Sequence, residues 1–159
     1  MTRVLFVCTG NICRSPLAEV LLRADLARRG VEGVEVTSAG TGAWDGAPAS
    51  EGAYLVALEH GLDLSGHQAR PLTRKLVKQS DLILTMSRHH RTRADDLGAD
   101  GRAFLLGEYA GLKGAAAEVS DPYGSDIDIY RQTYAQLAEL VAKAADRLVG
   151  APDDGASGN

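Results

Sequence analysis

Two cysteines and an arginine lie close together near the start of the chain, in the segment from Cys8 to Pro16, CTGNICRSP. A cysteine thiolate is a strong nucleophile, and the planar guanidinium of an arginine binds two phosphate oxygens at once. A loop curled around Cys8 would point backbone N–H groups and a helix start inward, and such a site favours negative charge. With Arg14 beside it, this segment indicates phosphoryl transfer through a cysteinyl-phosphate.

The other residues of the segment suit a tight loop around an anion. Gly10 lets the backbone approach a ligand closely, and Asn11 tolerates left-handed dihedral angles. Ser15 can cap the helix that follows and can also donate a hydrogen bond to the departing thiolate. The alternative is a buried cysteine in a turn that binds no phosphate, because free cysteine often serves only as a small hydrophobic side chain.

The elements around the segment put it where ligands bind. The short apolar run Val4 to Val7 predicts a buried parallel strand, and Ser15-Pro16 predicts the first turn of a helix. That helix ends at Arg28-Arg29-Gly30, where cations and a glycine stop are expected. In open parallel sheets, ligands bind outside the carboxyl ends of the strands.

Strands and helices alternate along the rest of the chain. Further strands are predicted over 34–37, 81–86 and 103–106, helices over 50–60, 72–78, 88–97 and 126–149, and loops over 39–46 and 107–120. The alternation predicts an α/β fold, a single doubly wound domain with a four-stranded parallel sheet and helices on both faces. We expect this domain to span residues 1–149 and the polar residues 150–159 to form a disordered tail.

Composition excludes several classes of protein. The chain has 159 residues and a net charge of −4, which fits one acidic domain and leaves no basic footprint for nucleic acid or a membrane surface. The two cysteines are too few for a disulfide scaffold or a four-cysteine zinc site. We expect no targeting segment, and the sequence has no apolar run long enough to span a membrane and no nucleotide-binding glycine motif. We expect a cytoplasmic protein without a metal or other cofactor, acting as a monomer.

The segment from Val4 to Pro16 resembles the phosphate-binding loop of the low-molecular-weight protein tyrosine phosphatases. The resemblance extends to about Leu148. It includes the sequences SAG at 38–40, HQAR at 67–70, DLILTM at 81–86 and DPYG at 121–124. It implies a phosphatase that hydrolyses phosphorylated protein side chains without a metal.

The resemblance also implies the catalytic residues. Cys8 matches the nucleophile and Arg14 the residue that binds the phosphate. Asp121 matches the general acid, which protonates the leaving group and later takes a proton from water. On the residues alone, Asp121 would be read as part of an ordinary Asp-Pro turn.

Supporting roles follow from the same resemblance. The loop itself comprises Thr9, Gly10, Asn11, Ile12, Cys13 and Ser15. Asn11, Ser38 and His67 match a hydrogen-bond network that holds the shape of the loop, and Ser15 matches the residue that steadies the thiolate. Without the resemblance, His67 would be read as a surface histidine.

Three further side chains match family positions. Two of these positions are in the wall of the substrate cleft, and the third takes part in the oxidation of the nucleophile. Trp44 and Tyr123 match aromatic walls, and Trp44 fits because its glycine-rich loop offers it no apolar face to pack on. Cys13 matches a second cysteine that pairs reversibly with the nucleophile under oxidation. Plain packing is the alternative for Cys13.

The family has branches that differ in substrate. Isoleucine at position 12 offers an apolar surface for a phenyl ring, whereas the phosphoarginine branch carries threonine there, so Ile12 favours phosphotyrosine. Gly124 and the sequence around it resemble the phosphoarginine branch, which is the alternative. Arsenate reduction would need cysteines later in the chain, and none is present. A module that binds phosphate without turning it over is the alternative from another class.

Overall fold

The computed structural model describes residues 1–150, and its architecture is a four-stranded sheet with helices on both faces. The strands are β1 (Thr2–Cys8), β2 (Val34–Gly40), β3 (Leu82–Thr85) and β4 (Ala103–Leu105). The helices are α1 (Arg14–Arg28), α2 (Glu51–Glu59), α3 (Arg74–Gln79), α4 (Arg88–Asp96), α5 (Leu106–Tyr109) and α6 (Ile127–Val149), with a 3₁₀ turn at Gly114–Ala117. The predicted α/β class is therefore confirmed. The tail expected over 150–159 lies, except for Gly150, outside the described residues.

The sheet is parallel throughout, with strand order β2-β1-β3-β4. Strand β1 lies at the centre, and its residues alternate between two hydrophobic cores. Val4 and Phe6 pack in one core with α1, α2 and α6, whereas Leu5 and Val7 pack in the other with residues of α3 and α4. Because β1 is buried on both faces, its end is a rigid platform for the loop that follows.

Local signals fix where several helices begin. Ser50 caps α2 by accepting the backbone N–H of Ala53 at 3.3 Å. Asp126 caps α6 in the same way, since its carboxylate accepts the N–H of Ile129 at 3.1 Å. Such caps satisfy donors that have no partner inside the helix.

The cap predicted for α1 is wrong. The helix begins at Arg14, its N-cap is Cys13, and no side chain caps it. Ser15 lies in the first turn with its hydroxyl directed at the loop. Pro16 still fits, because the first turn of a helix leaves its backbone N–H groups unpaired.

The stretch predicted as a loop over 107–120 is partly helical, and Leu106, predicted as strand, begins α5. The Glu108 carboxylate accepts the Leu105 N–H at 3.2 Å and caps this short helix. Gly107 lies so close to the backbone of Ala117 that a Cβ would not fit. Contacts between distant residues therefore stabilise helical turns that a run of glycine and alanine does not predict.

Helix α6 is amphipathic and covers one core with its apolar side, which carries Leu137, Leu140 and Val141. None of the helices within residues 1–150 is both long and apolar enough to cross a membrane.

Candidate active site

The loop after β1 forms a small pocket at the carboxyl edge of the sheet. The cavity has a volume of about 180 Å³ and is lined by Cys8, Thr9, Gly10, Ile12, Cys13, Arg14, Asp121 and Tyr123. Cys8 is the last residue of β1, so the buried strand fixes its position. The structure thus brings residues from the start of the chain together with Asp121 and Tyr123, as the sequence predicts.

Asn11 is the buried centre of the loop, and its φ of 56° is the left-handed conformation that asparagine tolerates. Its side-chain amide donates to Ser15 Oγ at 2.8 Å and to Ser38 Oγ at 2.9 Å. Its side-chain oxygen accepts the Arg70 N–H at 3.0 Å, and its carbonyl accepts from His67 Nε2 at 2.6 Å. Asn11, Ser38 and His67 therefore lie in one network.

Ser15 links this network to the thiol. Its Oγ lies 2.9 Å from Cys8 Sγ and already accepts a hydrogen bond from Asn11. The proton of the Ser15 hydroxyl is thus left to point at the sulfur. A hydroxyl donor at this distance stabilises a thiolate more than a thiol.

Gly40, at the end of β2, allows the loop to lie against the sheet. A Cβ at this position would lie 2.9 Å from the Asn11 nitrogen and still closer to the Thr9 carbonyl. The following residues bind the loop directly, since Thr41 N–H donates to Cys8 O and Gly42 N–H to Thr9 O, both at 2.9 Å. Only glycine permits this approach.

Arg14 is buried under the pocket, with its side chain 5% exposed. One terminal nitrogen donates to the Val119 carbonyl at 2.9 Å, and the other lies 3.6 Å from the Asp121 carboxylate. Within the described chain, its buried Nε has no hydrogen-bond partner. A buried donor without a partner costs free energy, and an anion in the pocket would remove that cost.

Asp121 and Tyr123 lie at the rim of the pocket. The Asp121 carboxylate is half exposed and accepts the Tyr123 N–H at 3.0 Å. Tyr123 is 66% exposed and lines the pocket. Trp44 is 84% exposed in the loop after β2 and is not among the residues that line this pocket, so its place in the cleft stays a prediction.

Cys13 faces away from solvent toward α2 and α6. Its sulfur lies 3.1 Å from Ser50 Oγ and 3.3 Å from the Tyr130 hydroxyl. Burial raises the pKa of the Cys13 thiol, and burial also raises the pKa of Tyr130 to about 12. Both cysteines are free thiols. The raised pKa keeps the Cys13 thiol protonated and makes it a weak nucleophile.

His90 is a part of the site that the sequence did not reveal. Its ring is fully buried, Nδ1 accepts the Ser87 N–H at 3.1 Å, and Nε2 lies 2.8 Å from Thr9 Oγ1. Because a backbone N–H can only donate, the proton of the neutral ring is on Nε2, which donates to Thr9. Burial, with the nearby His89 and Arg14, lowers the pKa of His90 to about 3. The ring is therefore a fixed neutral donor that ties α4 to the loop.

Comparisons with known proteins agree with the geometry. The family model "Low molecular weight phosphotyrosine protein phosphatase" matches residues 3–151. The chain is 39% identical to a protein-arginine-phosphatase of Bacillus subtilis over 91% of this chain and 95% of that relative. It is 37% identical to the low molecular weight protein-tyrosine-phosphatase Etp of Escherichia coli K12, over 91% and 93%.

A solved structure has the same fold. The crystal structure of a YwlE mutant from Bacillus subtilis has a TM-score of 0.86 to this chain at 36% identity, and the match covers 93% of this chain and 99% of that one.

Proposed function

This chain belongs to the low molecular weight protein tyrosine phosphatase family, and from that premise we propose that it hydrolyses phosphotyrosine in proteins through a cysteinyl-phosphate. One observation carries the proposal. The pocket that Cys8 lines is also lined by Asp121 and by Arg14, whose buried Nε has no hydrogen-bond partner among residues 1–150. A nucleophile, an anion-binding donor and a proton donor are the three groups that this reaction requires.

In the first step, the phosphate group of the substrate lies in the loop against Arg14. The Cys8 thiolate attacks phosphorus, so an S–P bond forms and the P–O bond to tyrosine breaks. Protonated Asp121 gives its proton to the departing tyrosyl oxygen, which leaves as neutral tyrosine. Arg14 and the loop N–H groups stabilise the charge on the transferring phosphoryl group.

In the second step, water attacks the phosphorus of the cysteinyl-phosphate. The Asp121 carboxylate takes a proton from that water, the S–P bond breaks, and inorganic phosphate leaves. The sulfur departs as a thiolate. The Ser15 hydroxyl, 2.9 Å from the sulfur, stabilises it at that moment.

The substrate preference rests on the apolar wall of the pocket. Ile12 lines the pocket on the same loop as Cys8, and Tyr123 lines it from the opposite segment. The Ile12 side chain and the Tyr123 ring suit the faces of a phenyl ring, and Ile12 itself offers no hydrogen-bond acceptor to a guanidinium group. Specificity is set by such contacts rather than by the fold.

Phosphoarginine is the second candidate substrate, and two observations favour it. A relative named as a protein-arginine-phosphatase is 39% identical to this chain. Gly124, with a φ of 82°, follows Tyr123 and leaves the rim without a second aromatic side chain. An open rim would admit the longer arginine side chain as readily as a tyrosine.

Rates on matched peptides carrying phosphotyrosine or phosphoarginine test the proposal. We expect the larger kcat/KM for phosphotyrosine, and we expect Ile12→Thr to shift the ratio toward phosphoarginine by about tenfold, the worth of one hydrogen bond of about 1 kcal/mol or more. Faster phosphoarginine turnover by the unchanged protein would make it an arginine phosphatase. An unchanged ratio in the variant would show that Ile12 does not set specificity.

The proposal includes phosphorylated proteins as partners and the cytoplasm as the compartment. The nucleophile must stay a free thiol to work, and reducing compartments keep thiols free. All the lining residues of the pocket come from one chain, so a monomer suffices for the reaction.

A further inference from the structure

A second groove lies directly beside the candidate active site, on the other side of Tyr123. It has a volume of about 410 Å³ and runs between the start of α2 and the segment that leads into α6. Tyr123 lines both the pocket and this groove. The groove is therefore adjacent to the site in which the phosphorylated side chain would be bound, with Tyr123 between them.

The floor of the groove is built by contacts that hold it open. Gly52 on α2 lies so close to the Tyr130 ring that a Cβ would overlap the ring. The Tyr130 hydroxyl lies 3.2 Å from Ser50 Oγ, and Arg131 forms an ion pair with Glu59 at 2.7 Å. These contacts fix α6 against α2, so the groove exists before anything binds.

The lining of the groove combines apolar side chains with the hydroxyl groups of serines and tyrosines and with one acidic residue. Leu55 is 42% exposed and lines the groove, and Ile127 lines it from the opposite side. Glu51 is the only charged side chain among the lining residues, and it is exposed. The surface thus combines apolar contact area with one negative charge, which attracts a basic group.

We propose that this groove binds the part of the substrate polypeptide next to the phosphorylated residue, and that Glu51 selects a basic side chain there. The inference rests on the proposed function. A protein substrate whose phosphorylated residue fills the pocket must place its neighbouring residues against the rim, and Tyr123 connects that rim to the groove. Leu55 then packs against the backbone and apolar side chains of the substrate.

Leu55→Ser tests the apolar wall. With p-nitrophenyl phosphate, which has no flanking residues, we expect an unchanged kcat/KM. With a phosphotyrosine peptide, we expect KM to rise about fivefold, the effect of losing part of the burial of one leucine. Leu58→Ser is the matched control, because Leu58 is 47% exposed on the same helix but does not line the groove, so its KM should not change.

Glu51→Gln tests the charge. The test compares pairs of phosphotyrosine peptides. The two peptides of a pair differ only in carrying lysine or glutamate at one position within a few residues before or after the phosphotyrosine. We expect the unchanged protein to prefer the lysine peptide of at least one pair by about fivefold, and the variant to lose that preference. Glu32→Gln is the control, because Glu32 is exposed between α1 and β2, away from the groove.

Three outcomes would overturn the proposal. One is equal loss of peptide and p-nitrophenyl phosphate turnover in Leu55→Ser. Another is a peptide KM that neither groove variant changes. A third is self-association of the unchanged protein that Leu55→Ser abolishes, because the groove would then bind a second copy. Failure of the unchanged protein to hydrolyse p-nitrophenyl phosphate would instead overturn the proposed function, and peptide binding to the groove variants would still test the groove.

Discussion

The phosphate-binding loop and the segments that border its mouth are built in opposite ways. The loop residues Asn11, Arg14 and Ser15 are buried, and Asn11 and Arg14 are hydrogen-bonded to residues far away in the chain. At the rim, Asp121 is half exposed and its side chain makes one local hydrogen bond, to the Tyr123 N–H, beside a long contact with Arg14. Tyr123 is largely exposed at the rim, and so is Trp44 in the loop after β2, where its place in the cleft stays a prediction.

The loop and the rim meet two different requirements of the enzyme. Nucleophilic attack on phosphorus needs donors and nucleophile held in fixed positions, and a shift of about 1 Å can cost about 100-fold in rate. Contact with different substrates is better served by side chains that few neighbours constrain. Changes in the loop should therefore alter chemistry and stability together, whereas changes at the rim should alter chemistry or binding alone.

The largest effect is expected for Cys8→Ser. A hydroxyl of similar size fits the pocket but ionises far less readily, so we expect turnover to fall by about 10⁴-fold or more. Phosphate binding, measured by calorimetry, should persist. If the unchanged protein binds phosphate but never turns a substrate over, the protein is a phosphate-binding module and not an enzyme.

The second-largest effect on turnover is expected for Asp121→Asn. Loss of the general acid should lower kcat on a phosphotyrosine peptide by about 10²–10³-fold, and by less on substrates whose leaving group needs no proton. Chemical denaturation should show little change in stability, because the side chain is half exposed. Asp45→Asn, an exposed aspartate next to Trp44, is the control and should leave kcat unchanged. A large loss of stability in Asp121→Asn would contradict the contrast between loop and rim.

Asn11→Ala and Trp44→Ala compare the two regions directly. Asn11→Ala removes three side-chain hydrogen bonds and leaves alanine at a φ of 56°, so we expect the free energy of unfolding to fall by about 3 kcal/mol and kcat by about 100-fold. Trp44→Ala should change the free energy of unfolding by less than about 0.5 kcal/mol. Equal destabilisation in urea unfolding would mean that the rim is as tightly held as the loop.

The last prediction concerns His90 and the pH dependence of stability, and it involves no change in catalysis at neutral pH. The folded pKa of His90 is lowered to about 3, whereas an unperturbed histidine has a pKa near 6.5. Between these values the unfolded state binds a proton that the folded state does not. The stability that the neutral His90 ring permits is therefore fully present above about pH 6.5. As pH falls from there toward 3, the free energy of unfolding decreases by at most about 1.4 kcal/mol per pH unit.

His90→Gln should flatten that slope in urea unfolding measured across this pH range. His60→Gln, at an exposed position at the end of α2, should leave the slope unchanged. If His90→Gln keeps the full slope, the proton that is bound on unfolding is bound by another group.

The sequence predicted the fold well where patterns are local. The apolar run of β1 and the alternation of strands and helices were sufficient for the sheet, and its four predicted strands are all present. The prediction was wrong where distant contacts decide. Leu106 and the residues after it are helical because Gly107 packs closely on the backbone of Ala117, a contact that supplements the local cap by Glu108.

The residues of the site also differ in whether their local sequence predicts their role. The residues from Cys8 to Ser15 form one contiguous motif, so their chemistry could be read from residue types alone. Ser38, His67 and Asp121 were found only through the family resemblance, because nothing in their local sequence shows what they contact. His90 was not predicted because it lies in a basic, polar helix that gave no sign of burial. Val119 was not predicted because it acts through its main-chain carbonyl, a group that every residue has.

The supports of the loop also determine when activity can arise during folding. The loop is encoded near the start of the chain, but Arg14 is held by Val119, 105 residues later, and Cys13 lies against Tyr130, 117 residues later. Contacts between residues so far apart form slowly, and during synthesis they must wait for the end of the domain. Catalytic turnover should thus be the last property to return on refolding, and an amino-terminal fragment that contains the complete motif should be inert.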